Sequence, residues 1–368
     1  MRRKRMFAAA FVATVGAGIL WPWRTAAQEA QPGSEESQIY PLFFQTLEHA
    51  QHERYDAAIA TARRIRTLAP EEPVGAFGLL VPYQTINRNY RVRTYDATVD
   101  SLLDLAIDLA ERAIKRGEKQ AVHYFYLGSA YGLRSLNHVI NKNWVKAFRD
   151  GVRVRSSFER ALKRDPNFVD AYFGLGMYNY WLGAKSKILR GILFARNRRQ
   201  TGLKQLRLVC DKGTFLKVDA MYGLSLAYYN EGKFQEALTV TDWLKKRFPQ
   251  NPTLLYRRGR IFQELGRWRE AKAEFEALYQ VLLSTRYRSV SYQIDCLYQI
   301  ARSEYETERL AQALELCGQA VALEKEYDVA QERDGPFEKF ADIQKALHKL
   351  HKKLKSLDLV EATTAGSH

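Results

Sequence analysis

Along most of the chain apolar residues recur at three- and four-residue spacing, the period of helices with one buried face. No stretch shows a competing strand pattern. A longer period is superimposed on the helical one. The stretches FQEALTVTDWLKKRFPQNP (234–252) and WREAKAEFEALY (268–279) align so that Ala237 and Ala271 stand 34 residues apart. A small residue is needed wherever paired helices approach closely, and a proline stops the second helix of a unit. Ala58 and Pro70 are 12 residues apart, as are Ala237 and Pro249, and Phe158, Ala161 and Pro166 keep the same frame. First helices read HYFYLGSAY, YFGLGMYNY, MYGLSLAYY, LYRRGRIFQ and LYQIARSEY, with Gly128, Gly176, Ser225, Gly259 and Ala301 at the crossing position; Ala313 marks the second helix of the last unit. These offsets predict about seven helical hairpins, at 38–70, 73–118, 121–166, 169–214, 217–250, 252–284 and 287–325. An amphipathic, lysine-rich helix at 337–357 would cap the array. In hairpins three and four the crossing residues (Gly128 and Val154, Gly176 and Gly202) are 26 residues apart where the period needs 12, and hairpin two (Gly78, Ala106) is stretched similarly. The expectation is three enlarged connections between helices.

A 34-residue helix–turn–helix with these small residues resembles the tetratricopeptide repeat. The resemblance implies an all-α, right-handed superhelical solenoid, one domain over 38–358, with a disordered tail at 359–368. Over 120–280 the resemblance narrows. The helix GLGMYNY (174–180), the linker KILRGILF (187–194), GLKQL (202–206) and the run FPQNPTLLYRRGRIFQELGRWREA (248–271) resemble the tetratricopeptide family of the fungal inclusion-body clearance protein and its animal relatives. That family implies an adaptor associated with membranes and lipid homeostasis, with no known catalytic residues. The secretory signal and shorter length described next depart from it.

Residues 2–5 are basic, an apolar run extends from Met6 to Trp21, and small residues follow at Thr25, Ala26 and Ala27, the layout of a secretory signal over 1–27. An uncleaved anchor is the alternative, and 28–37 reads as a flexible linker. The expected location is periplasmic or otherwise exported, or membrane-anchored by that segment. Without 1–27 the count is 52 basic against 41 acidic residues, a net +11. The charge is concentrated: 79–95, 134–155 and 171–210 carry +3, +5 and +8, so everything else is net acidic. Cys210, Cys296 and Cys317 allow at most one disulfide, with Cys296 and Cys317 the pair to expect, and their spacing matches no zinc module.

Two candidate surfaces follow. Tetratricopeptide units line a concave groove with fixed positions of the first helix. Here those positions hold Phe125, Phe173, Tyr222, Tyr256 and Tyr298, then Tyr180, Tyr229 and Tyr305, with Arg260 and Arg302 as carboxylate-binding donors. They either bind a protein or peptide partner or simply pack neighbouring hairpins. The second surface is the acid-free segment 185–199, with Lys185, Lys187, Arg190, Arg196, Arg198 and Arg199 around the apolar face of 188–194. It either packs on the solenoid or lies on an anionic membrane. The pairs His49/His52 and His348/His351 have no third ligand beside them, and no nucleophile elbow, phosphate loop or paired-cysteine motif occurs. The expectation is a non-enzymatic scaffold with no cofactor, no metal, no small-molecule substrate and no nucleic-acid partner.

Overall fold

The computed structural model describes residues 35–118, 120–140, 143–185, 195–213 and 216–365. Among the described residues there are fifteen α-helices and no strand beyond an isolated bridge between Val92 and Glu332. In chain order they are α1 (Glu35–Gln51), α2 (Tyr55–Leu68), α3 (Pro73–Asn89), α4 (Asp96–Lys115), α5 (Ala121–Ile140), α6 (Trp144–Arg164), α7 (Ala171–Lys185), α8 (Ala195–Lys212), α9 (Lys217–Glu231), α10 (Phe234–Arg247), α11 (Pro252–Glu264), α12 (Trp268–Ser284), α13 (Val290–Glu306) and α14 (Leu310–Leu323). Among them α1 packs on α2, α5 on α6, α7 on α8, α11 on α12 and α13 on α14 as helical hairpins. After a 3-10 turn, Glu324–Glu326, and an extended stretch comes α15 (Phe340–Ala365). This is the all-α hairpin array expected from the 34-residue period. No helix among the described residues is long and apolar enough to cross a membrane.

The enlargements take a different form from the one expected. In hairpin three the additional residues lengthen the helices to 20 and 21 residues, leaving only 141–143 between them. Hairpin two behaves alike, with helices of 17 and 20 residues and a connection at 90–95. The reason is local: AFRDGVRVRSSFERAL has one small or apolar flank throughout (Ala147, Val154, Ser157, Phe158, Ala161), so nothing stops the helix. The corresponding segment of hairpin four, 186–194, lies outside the described residues.

The chain forms two compact units. Among the described residues the N-terminal unit spans 35–85 and 95–232, and the C-terminal unit comprises 86–94 and 233 onward. In the N-terminal unit, Ala58, Ala62 and Ile65 of α2 are fully buried and pack with Phe43 and Leu47 of α1 in the first hairpin. Further on, Phe158 of α6 lies against Gly128, and an added Cβ at Gly202 would lie 2.5 Å from the Tyr180 amide nitrogen, so α7 and α8 touch backbone to backbone. In the C-terminal unit the matching contacts are Gly259 against Phe275, and Ala301 with Ala313 and Cys317. All three cysteines are free and buried, so Cys296 and Cys317 form no disulfide. Burial pushes the Cys317 thiol up to about 12 and that of Cys296 well above its ordinary value.

Candidate functional site

The start of α11 is set by Asn251, whose side chain accepts the Leu254 amide at 3.0 Å, with Pro252 next in the first turn. The start of α13 is set by Ser289 and, from a distant part of the chain, by Glu332. Its carboxylate accepts the amides of Val290 (3.0 Å) and Ser291 (2.7 Å) and the Ser289 hydroxyl (2.8 Å), placing a buried negative charge on the positive end of the helix. Residues 90–93 run beside this cap. Arg93 donates its amide to Gln331 O and Arg333 donates its amide to Arg91 O, both at 2.8 Å.

That pairing delivers Arg91 into the core. Its guanidinium donates to Asp295 at 2.7 Å and lies over the rings of Tyr292 (3.6 Å) and Tyr256 (4.4 Å). Burial opposes the charge, but Tyr292, Asp295 and Tyr256 more than offset it, so the pKa is raised above the ordinary arginine value. From Asp295 a buried polar row continues: Gln299 donates to Asp295 (2.9 Å) and Gln263 donates to Gln299 (3.1 Å). By charge count Arg91 belongs to the basic enlargement 79–95. It is a buried structural cation.

Beside this row the groove positions of α11 and α13 come together around the chain's own segment 335–338. Arg260 donates to both carboxylate oxygens of Glu338, each at 3.1 Å. Phe337, buried, has its ring centroid 5.7 Å from that of Tyr256 and 5.6 Å from the Arg260 guanidinium. Burial raises the Tyr298 phenol, and the charges of Arg302, Glu338 and Arg260 all act on it. Arg302 stacks on Trp268 at 5.2 Å, and Tyr305 accepts from Lys353 of α15. An aromatic floor and a bidentate arginine thus hold an aromatic side chain followed by a carboxylate, the chemistry of a peptide-binding groove. Tyr256, Arg260, Tyr298 and Arg302 belong to this one place; Tyr305 sits at its α15 end.

The other five groove residues do not. Phe125 is packed between Phe158 (5.6 Å) and Phe168 (5.2 Å), Phe173 is buried, and Tyr180 donates to Ala227 O (2.9 Å) while accepting from Asn230 (2.8 Å). Tyr222 and Tyr229 are buried as well. In the N-terminal unit these positions fill the space between adjacent hairpins and offer no open aromatic surface. Of the basic segment, Lys187 and Arg190 lie outside the described residues. Lys185 and Arg196 fall at the end of α7 and the start of α8; Arg198 is half-buried, and Arg199 pairs with Glu231 at 2.8 Å.

Two further groupings were not anticipated. On α6, Trp144, Val145, Phe148 and Val152 are 56, 72, 74 and 50% exposed, next to Lys146, Arg149 and Arg153. Behind the cations a cleft of about 370 Å³ contains Asp150, which accepts two bonds from Arg134 (2.9 and 3.1 Å) and one from Arg153 (3.4 Å). Glu72, Glu118 and His123 also bring ligand-type atoms within 4.8 Å of one another. His123 Nε2 is 3.5 Å from Glu72 and 3.8 Å from Glu118, while its buried Nδ1 has no partner. A metal-bound imidazole ordinarily donates its second nitrogen to an oxygen. With that nitrogen unpartnered, the trio fits a structural contact at the start of α5 better than a metal centre.

A family model for the tetratricopeptide repeat matches residues 219–251 and 253–281, which are α9–α10 and α11–α12. No curated protein matches the chain. Among solved structures the chain is similar to the APC/C hetero-tetramer Cut9–Hcn1, at 14% identity and a TM-score of 0.53, over 90% of this chain and 53% of that one. It therefore spans about half that structure's length. It is also similar, at 11% identity and a TM-score of 0.35, to a tetratricopeptide repeat protein from Parabacteroides merdae, over 87% of this chain and 99% of that one. The likeness to Cut9–Hcn1 supports the solenoid fold. The narrower resemblance to the inclusion-body clearance family has no counterpart among these matches.

Proposed function

We propose that this chain is a tetratricopeptide repeat protein acting as a non-enzymatic scaffold, whose C-terminal unit binds an extended peptide in the groove of α11 and α13. The observation that carries this reading is the seating of Phe337 and Glu338 on Tyr256 and Arg260. The ligand class follows from it: a short segment with an aromatic residue followed by an acidic one. The segment that occupies the groove has two parts of unequal hold. Residues 331–333 are fixed by backbone pairing and by the Glu332 cap. Residues 335–338 are held by side chains: Glu338 by Arg260, and Phe337 by burial against Tyr256 and the Arg260 guanidinium, while the Glu338 side chain is 39% exposed. A partner peptide would displace the second part and leave the first in place. A tethered competitor acts at an effective concentration on the order of mM, so the closed groove binds weakly until it is released.

The test is fluorescence anisotropy of a labelled peptide with the sequence of residues 332–340, titrated with the full chain and with Phe337→Ser/Glu338→Gln. The variant should bind at least about tenfold tighter than the unmodified chain, about 1.4 kcal/mol, and Arg260→Ala in the variant background should abolish the gain. Equal, weak binding by a variant that is still folded would remove the groove reading. Export is the proposal supported by the layout of residues 1–27, and the N-terminal residue of the protein purified from its native source tests it. The reading of 185–199 as a segment that binds an anionic membrane gains no support from Arg199, which pairs with Glu231.

A further inference from the structure

The exposed stripe on α6 lies in the N-terminal unit, away from any residue of the peptide groove in sequence and unit. At 100° per residue, α6 divides into three faces. Ala147, Asp150, Val154, Ser157, Phe158 and Ala161 form the buried one. Trp144, Val145, Phe148 and Val152 form the second over its first turns, each at least half exposed, and Arg155 and Glu159, paired with each other at 2.7 Å, continue that face toward the C-terminal end. Lys146, Arg149, Arg153 and Arg160 form the third, all exposed. Asp150, the acid of residues 144–153, is buried and engaged by Arg134, and the next acid, Glu159, is exposed and paired with Arg155. Outward, this part of the helix therefore shows hydrocarbon bounded by cations. On the α4 side of the cleft the acids are already engaged, Asp104 by Arg134 and Asp100 by Asn137, both at 3.1 Å.

We propose that this face of α6 docks the protein onto an anionic lipid surface. Three observations select lipid over a protein. The cations on the flank complement anionic headgroups. Trp144, at the first position of the helix, has the amphipathic ring that favours the headgroup boundary. Size supplies the third: four side chains on nine residues cover far less than the roughly 800 Å² that each partner of a stable protein pair buries. An interfacial helix has no such requirement, since the bilayer extends beyond it on every side. Side chains exposed by half to three-quarters stand clear of the body, which suits entry into a fluid phase better than seating in a rigid pocket.

The experiment uses the full chain with Phe148→Cys carrying a nitroxide label. The three native cysteines are buried, so the new thiol labels selectively. Vesicles of phosphatidylcholine are compared with vesicles of phosphatidylcholine and phosphatidylserine in equal parts. On the anionic vesicles the label at 148 should become shielded from a water-soluble relaxing agent, while a label at Arg160→Cys stays accessible. Lys146→Glu/Arg149→Glu should lower the fraction inserted at 148 by about tenfold or more, because each cation near an anionic surface contributes about one kcal/mol. All of these positions are exposed, so unchanged helix content and unfolding midpoint confirm intact variants. A label at 148 that stays in water on chain bound to anionic vesicles would overturn the proposal, as would complete failure to bind them. So would a concentration-dependent dimer that Phe148→Ser abolishes, which would assign the face to a second copy.

Discussion

Arg91 shows how much one buried charge can organise. It joins the turn at residues 90–93 to α11 and α13 through Asp295, Tyr256 and Tyr292, and its neighbours in sequence pair with the residues that cap α13. Removing one member of such a pair strands the other charge in the core. Arg91→Met should therefore destabilise the C-terminal unit by about 3–5 kcal/mol, and adding Asp295→Asn should recover part of the loss, as read from urea unfolding. A second titratable residue faces the cleft of α6. Burial lowers the His138 imidazole below its ordinary 6.5; Asp150 partly opposes this, while Arg134 and Lys146 reinforce it. The unfolded chain then takes up the proton first, so stability falls as pH drops from 6.5 toward the folded-state value. His138→Gln should flatten that slope in urea midpoints measured between neutral and mildly acidic pH. Neither effect was legible in the sequence. Charge counted along the chain left Arg91 in an acid-free run, because its acidic partner lies 204 residues away.

At the scale of elements the sequence was most informative, because the repeat constrains backbone geometry as well as composition. Gly232 and Gly266 are 34 residues apart, each five residues before the small residue of its second helix, and both take positive φ (75° and 71°). The same register in the first and seventh hairpins holds Glu53 and Glu308, also at positive φ (61° and 62°). An L-residue with a side chain pays about 1–2 kcal/mol to adopt that conformation, so the turn is imposed by the packing of the two helices and not by the residue. Glu308→Gly should raise the stability of the C-terminal unit by about 0.5–1 kcal/mol, less the extra freedom it gives the unfolded chain. Differential scanning calorimetry checks this. What the period did not reveal was where extra residues would go. They lengthen α5 and α6, and the helical wheel of residues 144–154 carried the signal: one buried flank with Ala147 and Val154, one exposed aromatic and aliphatic flank, one cationic flank. Grouping those residues as a connection concealed it. The stretch at 331–338 was missed for the opposite reason, since its contacts are with residues far away in sequence and leave no periodic trace.

For the molecule as a whole, the repeat fold supplies two kinds of surface in two separate units. In the N-terminal unit the groove aromatics are spent on packing hairpins, and the exposed chemistry moves to the outside of α6. In the C-terminal unit the groove residues remain available to an extended segment, and the chain itself provides one. On our reading, the first unit meets a lipid surface and the second selects a peptide, with partner binding governed by release of 335–338. Hydrogen exchange of the full chain, with and without a saturating amount of the 332–340 peptide, tests that reading most directly. Displacement predicts faster exchange at 335–340 together with slower exchange in α11 and α13. Peptide binding that leaves 335–340 as protected as before, with protection gained elsewhere on the chain, would contradict it.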